Sequence, residues 1–321
     1  MNILAKLVFV NVLLVLASIP NVTGGATPIW RYKGDQGPEY WPGVCTTGKR
    51  QSPINIERTK IRKTFDYEPL VLVNYDRAPK KIAILNNGFT AKLTFDNSET
   101  GWSAKIQGGG LPGTYQFEYL DFHWGSKLGQ GSEHTLDGIS YPMEMQLVHF
   151  NTKYGDSMTT ALEKSRNWYD TLAFVAVWFQ LRSEDNPKLE PIIKTLEFIQ
   201  NDGLKFQTPL FPLMDLLPEN TEHYFRYNGS MTRPTCNEVV LWTVFRESVD
   251  ISIAQLKKFR QLTFGNKRIK RILDNFRPIN DLNNRPVYEI DTYGVGSTAS
   301  SISAISCLTY LVFVLLLKLL M

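Results

Sequence analysis

The sequence contains little cysteine, little net charge and no long uninterrupted apolar segment. It has three cysteines among 321 residues, and its 35 basic residues outnumber its 31 acidic residues by four. A charge balance this even gives no electrostatic field strong enough to favour nucleic acid, so no nucleic-acid partner is expected. No apolar run reaches the roughly 20 residues that a transmembrane helix needs to cross a bilayer.

The first segment, residues 1–24, is predicted to be a secretory signal peptide. Lys6 precedes an apolar run over residues 7–16, and small or helix-breaking residues follow from Ser18 to Gly25. The run is too short to span a membrane, and no basic stop-transfer segment follows it. A buried N-terminal helix is the alternative interpretation.

The last segment, residues 293–321, is predicted to be a glycosylphosphatidylinositol (GPI) attachment signal. Residues 294–306 are small and polar, and residues 307–321 are nearly all apolar, with Lys318 inside the run. This order is typical of proteins that receive a C-terminal lipid anchor. The candidate attachment positions are Gly296, Ser297 and Thr298. A C-terminal transmembrane anchor is the alternative, and residues 25–292 are predicted to form one domain.

Removal of both ends would leave two cysteines, Cys45 and Cys236, in the mature domain. In an oxidising compartment a lone pair is expected to form a disulfide, and closing a loop of about 190 residues stabilises by several kcal/mol in the chain-entropy model. N-glycosylation sequons begin at Asn21 and at Asn228, the second in a predicted loop. The protein is therefore expected in the secretory pathway and on the extracellular face of the plasma membrane.

Strand patterns dominate between the two ends, so the predicted fold class is mostly β. The predicted strands cover residues 70–75, 81–86, 90–95, 115–124, 144–153, 172–182 and 238–245. Residues 172–181 are apolar at nearly every position, which predicts a central strand covered on both faces. Helices are expected at residues 159–165, from Asn186 to Ile199, and from the capping box at Ser252 to Leu262.

Three segments in the middle of the chain carry the most specific pattern. They read Asp121-Phe-His123-Trp-Gly, Gly-Ser-Glu133-His134-Thr and Glu144-Met-Gln146-Leu-Val-His149. They resemble the active-site core of α-class carbonic anhydrases, whose pattern is His-x-His-Trp-Gly, Gly-Ser-Glu-His-Thr and Glu-x-His-Leu-Val-His. Further matches begin at Trp30, include Gln-Ser-Pro-Ile-Asn-Ile at residues 51–56, and end at Pro278. The resemblance covers nearly all of the predicted mature chain.

The resemblance implies both a fold and a metal site. The fold would be a large central, mainly antiparallel mixed sheet with a few short peripheral helices and a conical cleft. In the enzymes three neutral imidazoles hold zinc and leave one position for water, whose pKa the metal lowers to about 7. Here the three ligand positions hold Asp121, His123 and Gln146, so only one zinc histidine survives.

The donors at these positions are a poor set for zinc. Asp121 is shorter than histidine, and Gln146 offers an amide oxygen, which suits hard cations better. The other histidines, His134, His149 and His223, are interpreted as structural. No cofactor is therefore expected, and zinc is the cofactor only if a weakened site still binds it.

The residues around the implied metal site are partly retained. Glu133 and Thr232 match the pair that orients the zinc-bound hydroxide, and Glu144 matches the acid that orients the third ligand. Buried polar groups also persist because they satisfy one another. Glu133 and Thr232 are accordingly interpreted as vestigial.

Three departures weaken the case for catalysis. By the resemblance, Phe89 stands where fast enzymes have a proton-shuttling histidine, Phe174 would fill space in their substrate pocket, and Arg233 would bring a fixed positive charge toward the cleft. The predicted cleft lining is Val148, Phe174, Met231, Arg233 and Trp242.

These features predict that the chain is not an enzyme but a pseudoenzyme, a cell-surface module that binds or adheres. The alternative is a zinc-dependent carbonate dehydratase with an atypical, weakened metal site. Acatalytic domains of the family serve as adhesion or receptor-binding modules, so an extracellular protein partner is expected. A sulfated glycan is the other candidate partner, because seven basic residues lie between Lys257 and Arg271. The remaining expected contact is with the membrane, through the lipid anchor.

Overall fold

The computed structural model describes residues 30–64, 67–95, 102–265 and 269–291. The predicted signal peptide, the Asn21 sequon, residues 293–321 and the pair Lys267 and Arg268 lie outside these ranges, so the predictions made for them stay predictions. Among the helices in the described ranges, none combines the length and the apolar character required to cross a bilayer.

The described chain consists mainly of strands joined by a few short helices. The strands are β1 (Asn55–Ile56), β2 (Arg62–Thr64), β3 (Leu70–Val73), β4 (Ile82–Asn86), β5 (Ala91–Phe95), β6 (Lys105–Gly108), β7 (Tyr115–Trp124), β8 (Thr135–Leu136), β9 (Ile139–Ser140), β10 (Met143–Asn151), β11 (Leu172–Arg182), β12 (Lys205–Thr208), β13 (His223–Gly229), β14 (Val240–Phe245), β15 (Val249–Ser252), β16 (Thr263–Phe264), β17 (Lys270–Arg271) and β18 (Tyr288–Asp291). The α-helices are α1 (Val44–Thr47), α2 (Met158–Lys164), α3 (Glu190–Leu196) and α4 (Ile253–Phe259). Single 3-10 turns cover Gly34–Gln36, Pro38–Tyr40, Pro187–Leu189, Glu197–Ile199 and Leu213–Leu216.

One large sheet organises the molecule. Its main path runs β12-β4-β5-β7-β10-β11-β14-β13-β18-β2. Neighbours along this path are antiparallel except β11 with β14 and β18 with β2. The prediction of a mostly β fold with a large, mainly antiparallel mixed sheet is therefore confirmed.

The centre of the sheet is formed by β10 and β11, which are buried on both faces. All nine residues of β10 and the first eight of β11 are buried. Met145 and Leu147 of β10 pack into one apolar cluster, whereas Val148 belongs to a second cluster on the opposite face. The doubly covered strand predicted at residues 172–181 is thus observed, and β10 is a second one.

Capping side chains mark the start of α4 and of the 3-10 turn that precedes α3. Ser252 caps α4 by accepting from the backbone N–H of Gln255 through Oγ. The Gln255 side-chain oxygen accepts from the backbone N–H of Ser252, which completes the predicted capping box. The helix ends at Phe259 rather than at Leu262, because the following residues turn toward β16. Asn186 caps the 3-10 turn that leads into α3.

A disulfide joins Cys45 of α1 to Cys236 in the loop between β13 and β14, as predicted. Trp41 is packed against this bridge, with Trp30 and Tyr32 beside it. The bond indicates folding in an oxidising compartment. Asn228 was predicted to lie in a loop, but it belongs to β13, where its side chain is exposed.

Candidate active site and its metal position

Strands β7 and β10 bring together Asp121, His123 and Gln146, the residues at the three implied metal-ligand positions. Gln146 pairs with Asp121 across the two strands, and Glu144 pairs with His123. Side chains two positions apart on a strand share a face, so all four point to the same side of the sheet. Each of these side chains is almost completely buried. The expected clustering of Asp121, His123 and Gln146 is therefore observed.

Asp121 and His123 occupy two of the three implied metal-ligand positions and are called the ligand pair below. The atoms with which they face each other lack hydrogen bonds. The Nδ1 atom of His123 lies 2.7 Å from the backbone carbonyl oxygen of Asn275. Donation from Nδ1 to that oxygen leaves Nε2 directed at the cleft. Nε2 lies 3.7 Å from Asp121 Oδ1, and both atoms are buried without a hydrogen-bond partner.

The second oxygen of Asp121 is engaged by Arg233. The Arg233 Nη2 group donates to Asp121 Oδ2 and lies 3.3 Å from the Tyr119 hydroxyl. Burial alone would raise the pKa of Asp121, but the charges of Arg233 and His123 outweigh it and lower the value to about 2. Burial would lower the pKa of His123, whereas Glu133 and Asp121 raise it to about 9. The site therefore holds an ion pair where the enzymes hold a metal.

Gln146 acts as a donor between two carboxylates. Its Nε2 lies 2.7 Å from Glu133 Oε2 and 2.9 Å from Glu144 Oε1. Both N–H groups of the amide are thus directed at carboxylate oxygens. Burial tends to raise the pKa of Glu144, but His134 and Gln146 reverse the effect and lower it.

The remaining histidines have hydrogen-bond partners that explain their positions. His134 bonds Glu144 through Nδ1 at 2.9 Å and the Tyr227 hydroxyl through Nε2 at 2.7 Å. His149 bonds the Tyr75 hydroxyl and lies 3.2 Å from the carbonyl of Ala173.

His223 lies within 3.5 Å of Glu289 and Asp291 on β18. The structural interpretation of these histidines agrees with their contacts.

The predicted cleft lining is assembled around this centre. Phe174 of β11 pairs with Val148 of β10, and its ring meets Trp242 at 5.0 Å between centroids. Trp242 donates to the carbonyl of Ser230 at 3.0 Å, and Met231 packs against the same cluster. Thr232 is buried beside Arg233.

Glu133, predicted to pair with Thr232, accepts the backbone N–H of Arg277 at 2.9 Å in addition to Gln146. Each carboxylate oxygen of Glu133 therefore already accepts a hydrogen bond, Oε1 from Arg277 and Oε2 from Gln146.

Phe89, at the implied proton-shuttle position, is covered by the N-terminal segment. Its ring stacks on Trp30 with centroids 4.2 Å apart, and the Arg31 guanidinium lies 4.7 Å from its centre. Sequence reasoning missed this cover, and it also missed Lys92, whose Nζ lies 3.7 Å from the Tyr119 ring centre. The alternation of β5, with Lys92 half-buried between buried neighbours, was the available signal for Lys92.

The donor set supports a two-ligand metal site and not a three-histidine one. Two zinc bonds of about 2.0–2.2 Å in tetrahedral geometry separate their donor atoms by about 3.3–3.6 Å, close to the 3.7 Å between Asp121 Oδ1 and His123 Nε2. No group of three His, Cys, Asp or Glu side chains in the described ranges is placed to share an ion. The two orphaned atoms fit a divalent cation, while Gln146 and Arg233 reduce what the site can offer it.

The chain was compared with known protein families and proteins. Residues 36–291 match the eukaryotic-type carbonic anhydrase family. Carbonic anhydrase 7 of Mus musculus and of Homo sapiens are each 36% identical over 262 residues, which is 80% of this chain and 96% of theirs. Carbonic anhydrase 15 of Mus musculus is 36% identical over 282 residues, covering 85% of this chain and 84% of its own.

These relatives overturn the prediction that the chain is not an enzyme. All are named for the enzyme, and each matches at least four fifths of this chain at 36% identity. Substitution at Asp121 and Gln146 changes the metal donors, but it does not itself demonstrate loss of activity. The pseudoenzyme interpretation is therefore wrong on this comparison, and the family is one of zinc-dependent enzymes.

Proposed function

Since the chain belongs to the eukaryotic-type carbonic anhydrase family, we propose that it catalyses carbon dioxide hydration slowly, through a metal site of reduced affinity. The observation that supports this most directly is the pair of buried, unpartnered atoms Asp121 Oδ1 and His123 Nε2 that face each other at 3.7 Å. Zinc, when bound, supplies a hydroxide at neutral pH. Asp121 and His123 would hold it.

The chain's own groups would prepare this site. The carbonyl of Asn275 fixes the tautomer and orientation of His123 from behind, as outer hydrogen bonds do for metal-binding histidines. Val148 and Phe174 provide an apolar wall next to the ligand pair. The wall excludes water from one side and suits an apolar substrate such as carbon dioxide.

The same geometry explains why activity should be weak. Gln146 replaces the third imidazole of the enzymes, and its N–H groups are directed at Glu133 and Glu144. An N–H group cannot donate a lone pair to a metal, so this side of Gln146 offers no third ligand. Phe89 cannot carry protons, and it lies beneath Trp30. Both metal affinity and proton export are therefore expected to be poor.

Zinc content and stopped-flow carbon dioxide hydration of the intact secreted chain test the proposal. We expect slow hydration that requires added zinc, is lost in His123→Ala, and rises when Asp121→His and Gln146→His are combined. Gln180→Met changes an exposed side chain of β11 and should leave the rate unaltered. Hydration at the uncatalysed rate with saturating zinc would refute the proposal.

A second role, compatible with the first, is binding of a sulfated glycan. A groove of about 610 Å³ runs between the N-terminal segment and β17, and Arg31, Phe89, Phe264, Lys270 and Arg271 line it. The Arg31 guanidinium lies over both aromatic rings. Lys270 and Arg271 are exposed and have no carboxylate partner among the described residues. Cations above an aromatic floor suit a sulfated sugar.

Retention on heparin and its dependence on salt test this role. Lys270→Ala combined with Arg271→Ala should weaken retention, because fewer cations contact the glycan. Lys188→Ala combined with Lys205→Ala removes two exposed charges outside the groove and serves as the matched control. Equal losses in both pairs would indicate only general charge attraction. If the natural chain itself is not retained on heparin, an extracellular protein partner is the remaining candidate.

We also propose that the chain is attached to the outer cell surface by a GPI anchor. The disulfide between Cys45 and Cys236 supports secretion, and the composition of residues 294–321 supports the anchor. Phosphatidylinositol-specific phospholipase C should release the protein from intact cells. A chain that stays with the membrane after this treatment would favour the transmembrane alternative.

A further inference from the structure

Arg233 contacts the ligand pair through a loop that is held firmly in place. The loop lies between β13 and β14, and its Cys236 is fixed by the disulfide to Cys45. The Cys236 N–H donates to the Arg233 carbonyl at 2.8 Å. Gln51 in turn donates to the Cys236 carbonyl at 3.1 Å. The backbone that carries Arg233 is therefore positioned before any ligand arrives.

The Arg233 side chain reaches from this loop into the metal position. Its guanidinium pairs with Asp121 Oδ2, and only 18% of the Arg233 side chain is exposed, against none of Asp121. The Tyr119 hydroxyl, 3.3 Å from Nη2, is a second polar contact of this guanidinium. Such a partly desolvated, charge-assisted hydrogen bond is stronger than a surface ion pair.

We propose that Arg233 is a built-in counter-ion that competes with a divalent cation for Asp121 and thereby sets the metal affinity of the site. The inference rests on the proposed function, because it concerns the same ligand pair. A cation at Asp121 Oδ1 and the guanidinium at Oδ2 share one carboxylate. Like charges this close repel strongly in a buried setting. Binding of metal and the Arg233–Asp121 contact therefore oppose each other.

Lys92 offers an internal comparison within the same cleft. Its backbone pairs with Asp121 across β5 and β7, and its ammonium group lies over the Tyr119 ring, 3.7 Å from the centre. No hydrogen bond or ion pair joins Lys92 to Asp121 among the described contacts. Removing Lys92 thus removes a nearby positive charge without releasing the ligand pair.

Zinc and cobalt titrations of the intact secreted chain, calorimetric and against a competing chelator, test the inference. Arg233→Gln should bind either ion at least about tenfold more tightly than the natural chain, a difference of about 1.4 kcal/mol. Arg233→Lys keeps the charge and should gain much less. Lys92→Gln should gain much less affinity than Arg233→Gln, because Lys92 shares no hydrogen bond with the Asp121 carboxylate that a cation would take up.

The results separate this inference from the proposed function. If the natural chain binds zinc and hydrates carbon dioxide but Arg233→Gln gains no affinity, the inference fails while the function stands. If only Arg233→Gln binds zinc, the inference stands and hydration by the natural chain fails. If neither binds, or if Lys92→Gln gains as much as Arg233→Gln, the inference is overturned.

Loss of Arg233 leaves Asp121 buried without its strongest partner, so folding must be verified by circular dichroism and by disulfide content. Where Arg233→Gln does not fold, Arg233→Lys supplies the test, since it keeps a positive charge beside Asp121 but loses the planar guanidinium donor. Its zinc affinity should exceed that of the natural chain, by less than about tenfold. Equal affinities of these two proteins would then refute the role assigned to Arg233.

Discussion

Replacing Gln146 with methionine should destabilise the protein, although the two side chains have similar volume. Gln146 donates to Glu133 at 2.7 Å and to Glu144 at 2.9 Å, and all three side chains are buried. Hydrogen bonds to charged groups contribute about 1.5–3 kcal/mol each, so the loss of both gives about 3–6 kcal/mol.

The lower end of this range is expected, since neither carboxylate would be left without donors. Glu133 keeps the Arg277 N–H, and Glu144 keeps the backbone and ring N–H groups of His134. We therefore expect Gln146→Met to lower the free energy of unfolding by about 3 kcal/mol.

Urea unfolding followed by tryptophan fluorescence, with the disulfide intact, measures this difference. Gln180→Met, at an exposed position of β11 where the side chain accepts from Ser248 at 3.2 Å, should change stability by less than about 0.5 kcal/mol. A loss below about 1 kcal/mol for Gln146→Met, with an unchanged urea dependence, would refute the view that Gln146 is needed as a donor between the carboxylates.

Two further predictions concern stability. Cys45→Ala combined with Cys236→Ala should cost about 3–5 kcal/mol in urea unfolding, because the bridge spans 191 residues; a smaller loss than 1 kcal/mol would contradict it. Burial lowers the pKa of His149 to about 3; its unfolded value is about 6.5. Between these values the unfolded chain binds a proton that the folded chain does not, so stability falls as pH falls below about 6.5. From pH 7 to pH 5 the natural chain should lose about 2 kcal/mol more than His149→Gln; parallel losses would refute this.

Local patterns predicted the elements whose determinants lie within a few residues. The run at residues 172–181 identified a doubly buried strand because its own side chains are apolar on both faces. The Ser252 and Gln255 pair identified the start of α4 because both capping bonds form within one turn. Strand β13 was missed, since the buried Arg226 interrupts its apolar pattern; that arginine donates to the carbonyl of Gly109 at 2.9 Å.

The candidate site was predictable in membership but not in its bonds. The resemblance located Asp121, His123 and Gln146, and two-residue spacing placed them on one face. Their partners come from distant segments: Arg233 lies 112 residues from Asp121, and Asn275 lies 152 residues from His123. No local pattern encodes such pairs, so the ion pair with Arg233 and the donor role of Gln146 required the structure.

The charges at the ligand pair explain how the fold tolerates the loss of two zinc histidines. Asp121, Glu133 and Glu144 place three acidic side chains around this position, all buried. Buried carboxylates need compensating positive charge or donors. His123, whose pKa is raised to about 9, and Arg233 supply two positive charges at neutral pH, the same charge as a divalent ion. Under the proposed function, a bound cation would have to displace charges that already stabilise the site, and its low affinity would follow from the same contacts that keep the fold intact.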